Sequence, residues 1–265
     1  MGQIGVLIHG VLGKMGQEVL NAVHRDPDLE AVAGTDTAGE VKELLLPDGS
    51  SKIPYSNNLE SILDHCRPDV LVDFTNASAT MPAVRTVAKH HISLVIGTTG
   101  LSETDLNEIE DLCRKQSIGA VVAPNFALGA ALMIHMAKLA ARFFDYAEII
   151  EMHHEQKADA PSGTALTTAR EMVKARGKAF THVTPTMESL AGSRGSELEG
   201  VAVHSVRLPG LLAHQEVILG ATGQTLTIRH DTISRECFMP GVILAIKKVI
   251  SFKKAVFSLD KVLGL

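Results

Sequence analysis

The sequence predicts an α/β chain with two domains, the first built on a doubly wound parallel sheet and the second of α+β type on a mixed sheet. In the first half, short β-branched runs alternate with helical patterns, which is the order of elements in a parallel sheet. A glycine-rich turn separates the first strand from the first helix. In the second half, three strand patterns follow one another with no helix between them, which favours an antiparallel or mixed sheet.

The elements of the first domain are predicted from the spacing of apolar residues. After a strand over residues 4–8, apolar residues recur at helical spacing from Met15 to Val23. Ser102, followed three residues later by Asp105, is an N-cap signature for a later helix. The other predicted strands are 29–33, 70–74, 94–96 and 118–123, and the predicted helices end near residues 24, 90 and 116.

The pattern changes after Pro124. The second domain is predicted to contain helices over 127–144 and 163–176 and strands over 147–152, 201–206, 216–219 and 226–230. Residues 191–200, rich in Gly, Ser and Glu, are expected to form an exposed loop. The last helix, 240–250, has no strand partner near it in sequence, so the chain is expected to return to the first domain. The predicted domains are therefore 1–125 with a returning tail of about 237–265, and 126–236.

The composition excludes several classes of protein. Of the 265 residues, 45% are hydrophobic and 21% are charged, which is ordinary for a globular chain and not for a disordered, collagen-like or coiled-coil one. The formal net charge of −5 gives no overall basic surface for nucleic acid or an anionic membrane. The sequence has no uninterrupted span of ~20 apolar residues, so it does not predict a transmembrane helix. The three cysteines lack CxxC spacing, which argues against a disulfide framework or a thiolate zinc site. A cytoplasmic location is expected.

The turn after the first strand carries a GxxGxxG pattern from Gly10 to Gly16, a variant of the dinucleotide-binding fingerprint of Rossmann-type domains. Its glycines permit a tight turn, and the following helix presents N–H groups and a dipole that favour a pyrophosphate. Asp36 stands 20 residues after Gly16, where a carboxylate binds the adenosine ribose hydroxyls. A packing turn beside an ordinary surface Asp is the alternative. The expected cofactor-binding residues here are Gly10, Val11, Leu12, Gly13, Lys14, Met15 and Asp36.

Asp36 also bears on the choice between NADH and NADPH. Its carboxylate repels the 2′-phosphate of NADPH, and Thr37 offers no cation there, although Lys14 could supply one. NADH is therefore expected to serve at least as well as NADPH.

Polar loops follow three further strands of the first domain. Ligands of doubly wound sheets bind outside the carboxyl ends of the strands, so these loops are expected to face the nicotinamide half of the cofactor. Thr98, Thr99 and Asn125 offer hydrogen bonds, and Gly97 allows close backbone approach. Thr and Asn are also common turn residues, which is the alternative for each loop singly. The residues expected to contact the cofactor are Gly97, Thr98, Thr99, Ala123, Pro124, Asn125 and Phe126.

The densest polar run of the chain extends from Glu151 to Ala165. His153 and His154 can hold or release a proton near neutral pH, and Lys157 supplies a positive charge or a proton. Residues 162–164 lead into a helix whose first N–H groups form an anion site. A substrate that carries carboxylates fits this run, and a polar loop before an N-capped helix accounts for it equally well. The spacing lacks the separated His and Glu of zinc enzymes, so no metal is expected.

At these residues the chain resembles the dihydrodipicolinate reductase family, also named 4-hydroxy-tetrahydrodipicolinate reductase, of the bacterial diaminopimelate and lysine pathway. The resemblance extends over nearly the whole chain and includes the glycine-rich turn and the GTTG loop at 97–100. The signature E-x-HHxxKxDAPSGTA is complete over residues 151–165. This signature is very specific, whereas the glycine pattern alone is not.

The resemblance implies that NADH or NADPH reduces a cyclic imine dicarboxylate, 4-hydroxy-tetrahydrodipicolinate, to tetrahydrodipicolinate. It implies that a hydride adds to substrate C4 and that His153 and Lys157 are the catalytic residues that deliver the proton. The second domain is implied to bind the substrate and to form the shared sheet of a homotetramer, with no metal. The implied substrate-binding residues are His154, Ser162, Gly163 and Thr164.

Two departures from the family pattern concern the cofactor. Thr37 stands where Arg is common, which argues against a strong preference for NADPH. His9 stands where a small residue is usual, so its ring either faces the phosphates or packs beneath them. Two other functions stay open: a dehydrogenase of another small carboxylated substrate, and a nucleotide-sensing regulator, which would need no proton donors beside an anion site.

Overall fold

The computed structural model describes residues 2–37, 39 and 42–265, and it divides the chain into two compact units. Unit 1 consists of Met1–Leu128 and Arg235–Leu265, and unit 2 consists of Gly129–Ser234. Within the described residues, no helix combines the length and the apolar character that crossing a membrane requires.

Strands and helices alternate along most of unit 1, whereas strands follow one another directly in the later part of unit 2. In chain order the elements are β1 (Ile4–His9), α1 (Lys14–Arg25), β2 (Leu29–Thr35), β3 (Glu43–Leu45), β4 (Lys52–Ser56), α2 (Leu59–Leu63), β5 (Val70–Asp73), α3 (Ala77–Lys89), β6 (Ser93–Ile96), α4 (Glu103–Gln116), β7 (Ala120–Val122), α5 (Leu128–Ala140), β8 (Tyr146–His153), α6 (Gly163–Arg176), β9 (Ser196–Leu198), β10 (Val201–Arg207), β11 (Ala213–Ala221), β12 (Gln224–Thr232), α7 (Met239–Val249), β13 (Ala255–Val256) and α8 (Leu259–Leu263).

The sheet of unit 1 has eight strands in the order β13-β7-β6-β5-β1-β2-β4-β3. Neighbouring strands are parallel except β3 and β4, which are antiparallel. The short apolar runs of β5, β6 and β7 are buried throughout, as strands covered on both faces require. The predicted doubly wound parallel sheet is therefore confirmed. Because β2 lies on one side of β1 and β5 on the other, the carboxyl ends of these strands form the crevice where such sheets bind ligands.

The helices of unit 1 begin where local signals predict. In α4, the Ser102 Oγ accepts from the Asp105 N–H at 3.2 Å, and the Asp105 carboxylate accepts from the Ser102 N–H at 2.8 Å. This reciprocal pair is the predicted capping box. Helix α1 buries Val19, Leu20 and Val23, one apolar stripe of an otherwise polar helix.

Gly16, the last glycine of the turn, lies against the turn itself. A Cβ built on Gly16 would stand 2.0 Å from the Gly10 carbonyl oxygen, and Gly10 is itself bonded to Thr35 of β2. Gly16→Ala is therefore expected to lower the free energy of unfolding by about 2 kcal/mol or more, because backbone held by a strand cannot move aside. Thermal denaturation measures the change. The matched control is Gly163→Ala, whose Cβ would meet nothing within 4 Å; an equal loss of Tm in both variants would contradict the prediction.

Unit 2 contains a five-stranded sheet in the order β12-β11-β8-β10-β9. β8 and β10 are parallel and the other neighbours are antiparallel, so the predicted mixed sheet is confirmed. Helices α5 and α6 bring Met133 and Met172 into the core that covers this sheet. On β8 the buried residues alternate as Ala147, Ile149 and Glu151. An ionisable side chain thus continues a row that is otherwise apolar.

The prediction of an exposed loop over 191–200 is wrong at its end. Ser196–Leu198 forms the edge strand β9, which pairs antiparallel with β10. The segment has no apolar alternation, because its pairing comes from the backbone of β10 and leaves most of its side chains in solvent. Gly195 and Gly200, both with positive φ, flank this strand.

The predicted helix 127–144 is too long, and several short elements were not predicted. Helix α5 ends at Ala140 because the chain tightens there: the Phe143 N–H donates to the Ala140 carbonyl at 2.9 Å, an i to i−3 bond. The elements that the spacing analysis did not predict are β3, β4, α2, β13 and α8. Each has at most five residues, too few to show a period.

The final segment of the chain packs within unit 1. Helix α7 lies beside α1, and β13 pairs in parallel with β7 at the edge of the sheet. Lys247 of α7 donates to Asp26 at 2.8 Å and to Asp28 at 2.6 Å, both just after α1. Unit 1 is therefore built from two separate stretches of the chain.

Candidate active site

The glycine-rich turn of unit 1 has the geometry of an anion site. Gly10 follows β1 with a φ of +83°, a conformation that favours glycine. The Gly10 N–H donates to the Thr35 carbonyl at 2.8 Å, and the Gly13 N–H donates to the Gly10 carbonyl at 3.1 Å. Gly13 is the N-cap of α1 and has no side chain to accept from the first-turn N–H groups. These N–H groups and the helix dipole suit a pyrophosphate at the turn.

Asp36 lies just after β2, beside the same turn. Its Oδ2 accepts from the Leu12 N–H at 2.9 Å, and its Oδ1 accepts from the Thr37 N–H at 2.7 Å. Asp36 and Thr37 line a cavity of about 410 Å³ together with Asn57 and Asn58. A carboxylate fixed at the wall of a cavity, next to an anion-binding turn, fits the adenosine ribose of a dinucleotide.

The unusual His9 belongs to the wall of this cavity. Its Nδ1 lies 2.7 Å from the Thr35 Oγ1, so the ring is held from one side. Its Nε2 is shielded from solvent and has no hydrogen-bond partner among the described residues. His9 thus adds one polar nitrogen to the surroundings of Asp36.

Two side chains in the loops after β6 and β7 accept hydrogen bonds from the protein backbone. The Thr98 Oγ1 accepts from the Thr75 N–H at 2.9 Å, and Thr98 is buried. The Asn125 Oδ1 accepts from the Ala127 N–H at 2.8 Å, which forms an Asx turn. A structural role in the turn does not exclude a contact with a ligand, because the Thr98 Oγ1 and the Asn125 Oδ1 can each form a further hydrogen bond.

Three other residues of these loops, Gly97, Ala123 and Phe126, have no polar side chain to offer the cofactor. Ala123 and Phe126 are buried, and the Phe126 ring centroid lies 5.9 Å from that of Phe74. A Cβ on Gly97 would stand 2.1 Å from the Phe74 ring, so glycine at this position leaves room for the ring. A ligand at these loops meets backbone atoms, together with the exposed Thr99 and Pro124.

The polar segment of unit 2 starts at the end of β8. His153 is the last residue of the strand, and 15% of its side chain is exposed. Its Nδ1 lies 2.6 Å from the Glu151 Oε2. His154 begins a turn in which its carbonyl accepts from the Lys157 N–H at 3.2 Å. The Lys157 ammonium donates to the Asp159 Oδ1 at 2.6 Å, and its hydrogen bond holds the pKa of Asp159 below its usual range.

Glu151, to which the sequence patterns assign no role, joins several parts of this segment through hydrogen bonds. It is fully buried, and its Oε1 accepts from the Arg207 Nη2 at 2.8 Å and from the Ser162 N–H at 3.1 Å. Its Oε2 accepts from the Arg207 Nη1 at 2.9 Å in addition to facing His153. Burial raises the pKa of Glu151, but hydrogen bonds from His153, Arg207 and Ser205 and the charge of Arg207 outweigh it and hold the pKa at about 2.

A signal for Glu151 does exist in the sequence. Residues i and i+2 of a strand share a face, so Glu151 and His153 are predicted to be neighbours once β8 is recognised. The partner that keeps the carboxylate ionised, Arg207, is 56 residues away and could not be found by spacing.

Helix α6 begins at Gly163, directly after the buried Ser162. The Ser162 Oγ accepts from the Ala165 N–H at 3.2 Å and so serves as the N-cap. Gly163 is exposed and Thr164 is partly exposed, so the helix end is accessible from solvent. Among the residues described, no three His, Cys, Asp or Glu side chains are grouped in a way that could hold a metal ion.

The two halves of the chain match the two domains of one enzyme family. The family model for the dihydrodipicolinate reductase N-terminus matches residues 4–126, and the model for its C-terminus matches residues 129–263. The chain belongs to the dihydrodipicolinate reductase family. The 4-hydroxy-tetrahydrodipicolinate reductase of Dehalococcoides mccartyi is 56% identical over 265 residues, which is 100% of both chains.

Further dihydrodipicolinate reductases support the assignment. The 4-hydroxy-tetrahydrodipicolinate reductase of Moorella thermoacetica is 47% identical over 266 residues, covering 98% of each chain. The solved structure of dipicolinate-bound dihydrodipicolinate reductase from Paenisporosarcina sp. TG-14 has a TM-score of 0.87 and 40% identity, covering 98% of this chain and 99% of that one. The family predicted from the E-x-HHxxKxDAPSGTA signature is therefore confirmed, and with it the assignment as an oxidoreductase.

Proposed function

We propose that this protein reduces 4-hydroxy-tetrahydrodipicolinate to tetrahydrodipicolinate in diaminopimelate and lysine biosynthesis, with a nicotinamide cofactor as hydride donor. The observation that carries the proposal is the cluster at the end of β8. There, in a chain of this reductase family, His153, Lys157 and the start of α6 lie in one hydrogen-bonded network. The cluster combines proton donors, a cation and an anion-binding helix end. A nucleotide sensor has no need for that combination.

The substrate determines what these residues must do. Loss of its hydroxyl as water leaves a conjugated cyclic imine that carries two carboxylates. Addition of a hydride to C4 moves an electron pair toward the ring nitrogen, so this nitrogen must receive a proton. When bound, the nicotinamide supplies the hydride. His153 and Lys157 are the proposed sources of the proton.

The two substrate carboxylates need positive partners. Lys157 is a cation whose side chain is 23% exposed, so it can contact a bound anion while paired with Asp159. His154 and the first N–H groups of α6, at Gly163 and Thr164, are the other proposed contacts. Ser162 contributes as the cap that fixes this helix end.

Unit 1 is the proposed cofactor-binding unit. The pyrophosphate is proposed to lie at the turn between Gly10 and Lys14, and the adenosine ribose against Asp36. NADH is proposed to serve at least as well as NADPH, because the Asp36 carboxylate repels a 2′-phosphate and Thr37 brings no cation to it. Backbone of the loops after β6 and β7 is proposed to bind the nicotinamide half. Following the family resemblance, we also propose a cytoplasmic homotetramer joined through unit 2.

The decay of nicotinamide absorbance tests the proposal. The substrate is made in the assay by the preceding synthase from pyruvate and aspartate semialdehyde, and NADH and NADPH are compared separately. We expect decay that depends on this substrate, with kcat/KM for NADH equal to or above that for NADPH. A large advantage of NADPH would refute the proposed role of Asp36. Absence of decay with either cofactor, in a folded protein that binds NADH, would refute the reductase proposal.

A further inference from the structure

We propose that Glu151 is a positioning residue of the reductase reaction, which orients His153 through Nδ1 so that Nε2 is the nitrogen that exchanges the proton. The same carboxylate fixes the start of α6 through the Ser162 N–H, and so holds the proton donor and the anion site in one arrangement. This inference rests on the proposed function of His153.

The hydrogen-bond geometry fixes the tautomer of His153. An ionised carboxylate only accepts hydrogen bonds, so the hydrogen between the Glu151 Oε2 and the His153 Nδ1, which are 2.6 Å apart, must reside on Nδ1. Neutral His153 then has its lone pair on Nε2, and protonated His153 carries its transferable proton there. The opposite tautomer would place two lone pairs against each other.

The surroundings of Glu151 keep it ionised and immobile. Arg207, at the end of β10, is paired in register with His153 and binds both carboxylate oxygens of Glu151. The Arg207 Nη2 also donates to the Asp159 carbonyl at 2.6 Å, and Asp159 holds Lys157. The charged group that contacts Glu151 is therefore Arg207, and the titratable one is His153; Asp159 and Lys157 lie one contact further away.

The need for a charge at this position is not explained by folding alone. The preceding members of the same row on β8, Ala147 and Ile149, pack as apolar side chains in the core. A buried ion pair is often no more stabilising than an apolar residue of similar size, because both charges lose their hydration. Beyond packing, Glu151 fixes the orientation of two groups through hydrogen bonds. These groups are the His153 Nδ1 and the Ser162 N–H.

Glu151→Gln is the direct test, because it keeps the shape and removes the charge. We expect kcat to fall by about 10²-fold or more, by analogy with the loss when a histidine is held in the wrong tautomer, while KM for NADH stays unchanged. Histidine side-chain ¹⁵N spectra are expected to show the Nδ1–H tautomer of neutral His153 in the wild type and a shift toward Nε2–H in the variant. Glu151→Asp, which keeps the carboxylate, is expected to restore the tautomer and part of kcat.

A second glutamate on β8 provides the matched control. Glu148 binds His204 Nε2 at 2.8 Å and also pairs with Arg194, so it forms a cluster of the same three residue types. Glu148→Gln is expected to keep kcat within about twofold of the wild type, as for a substitution away from the chemistry. An equal loss of kcat in both variants would show a general structural effect and overturn the positioning role.

The outcomes separate this inference from the proposed function. If His153→Ala loses activity while Glu151→Gln keeps wild-type kcat and tautomer, the positioning role alone is overturned. If His153→Ala keeps wild-type kcat, the proposed function of His153 fails, and the positioning role fails with it. The wild-type ¹⁵N spectrum needs no variant to fold, and an Nε2–H tautomer of neutral His153 there would also overturn the inference.

Discussion

His153→Ala is expected to lower kcat by about 10²- to 10⁴-fold, which is the usual contribution of a positioned general acid or base. The variant removes the imidazole that is held at the end of β8 by Glu151, and leaves Lys157 and solvent as proton donors. The affinity for NADH is expected to stay unchanged, because the proposed cofactor contacts belong to unit 1 and His153 to unit 2. Steady-state kinetics with saturating cofactor measures kcat, and fluorescence titration measures NADH binding.

His204→Ala is the control for this experiment. His204 is also a histidine of the unit 2 sheet paired with a glutamate, and 23% of its side chain is exposed. It lies outside the polar segment, so the variant is expected to keep near-wild-type kcat. A His153→Ala enzyme with near-wild-type kcat would remove His153 from the chemistry.

Lys157→Ala is expected to raise KM for the dicarboxylate substrate and to lower kcat, each by about tenfold or more. A hydrogen bond to a charged group contributes about 1.5–3 kcal/mol, and its loss would affect both binding of the carboxylate and stabilisation of the developing charge. The variant also removes the ammonium that is paired with the Asp159 carboxylate, so this negative charge would repel an anionic substrate. Initial rates over a range of substrate concentrations separate the two constants.

Lys174→Ala serves as the charge-matched control, since Lys174 is exposed near the end of α6, far along the helix from its N-terminus. We expect its KM and kcat to match the wild type. Unchanged kinetics in Lys157→Ala would contradict the role of Lys157, and equal changes in both lysine variants would show that only net charge matters.

Much of the fold was predictable, because the strongest local signals agree with the tertiary structure. The runs that became β5 and β6 are apolar on both faces, as in a parallel sheet, and the Ser102–Asp105 pair caps α4 as its spacing predicts. The edge strand β9 escaped prediction because an edge pairs through its backbone, which leaves no trace in side-chain pattern.

The candidate site was predictable to a lesser depth. The residues of the E-x-HHxxKxDAPSGTA signature gather at one place, but spacing does not reveal which of them support the others. Ser162 was assigned both to the cap of α6 and to the substrate; its hydroxyl is that cap, and the substrate contact stays a prediction. The role of Glu151 depends on Arg207, which binds its carboxylate. Arg207 belongs to the parallel strand β10, which follows α6 and β9 in the chain.

The interrupted construction of unit 1 has a consequence for synthesis on the ribosome. Unit 2 is a single continuous segment, so its five-stranded sheet can form as soon as residue 234 has left the ribosome. Unit 1 starts first but finishes last, because α7 and the edge strand β13 must still arrive from the end of the chain. The contacts of unit 1 with this final segment therefore form late, and until then the N-terminal part exposes the apolar surface that α7 and β13 cover. Chaperone dependence during translation would fall on this half of the enzyme.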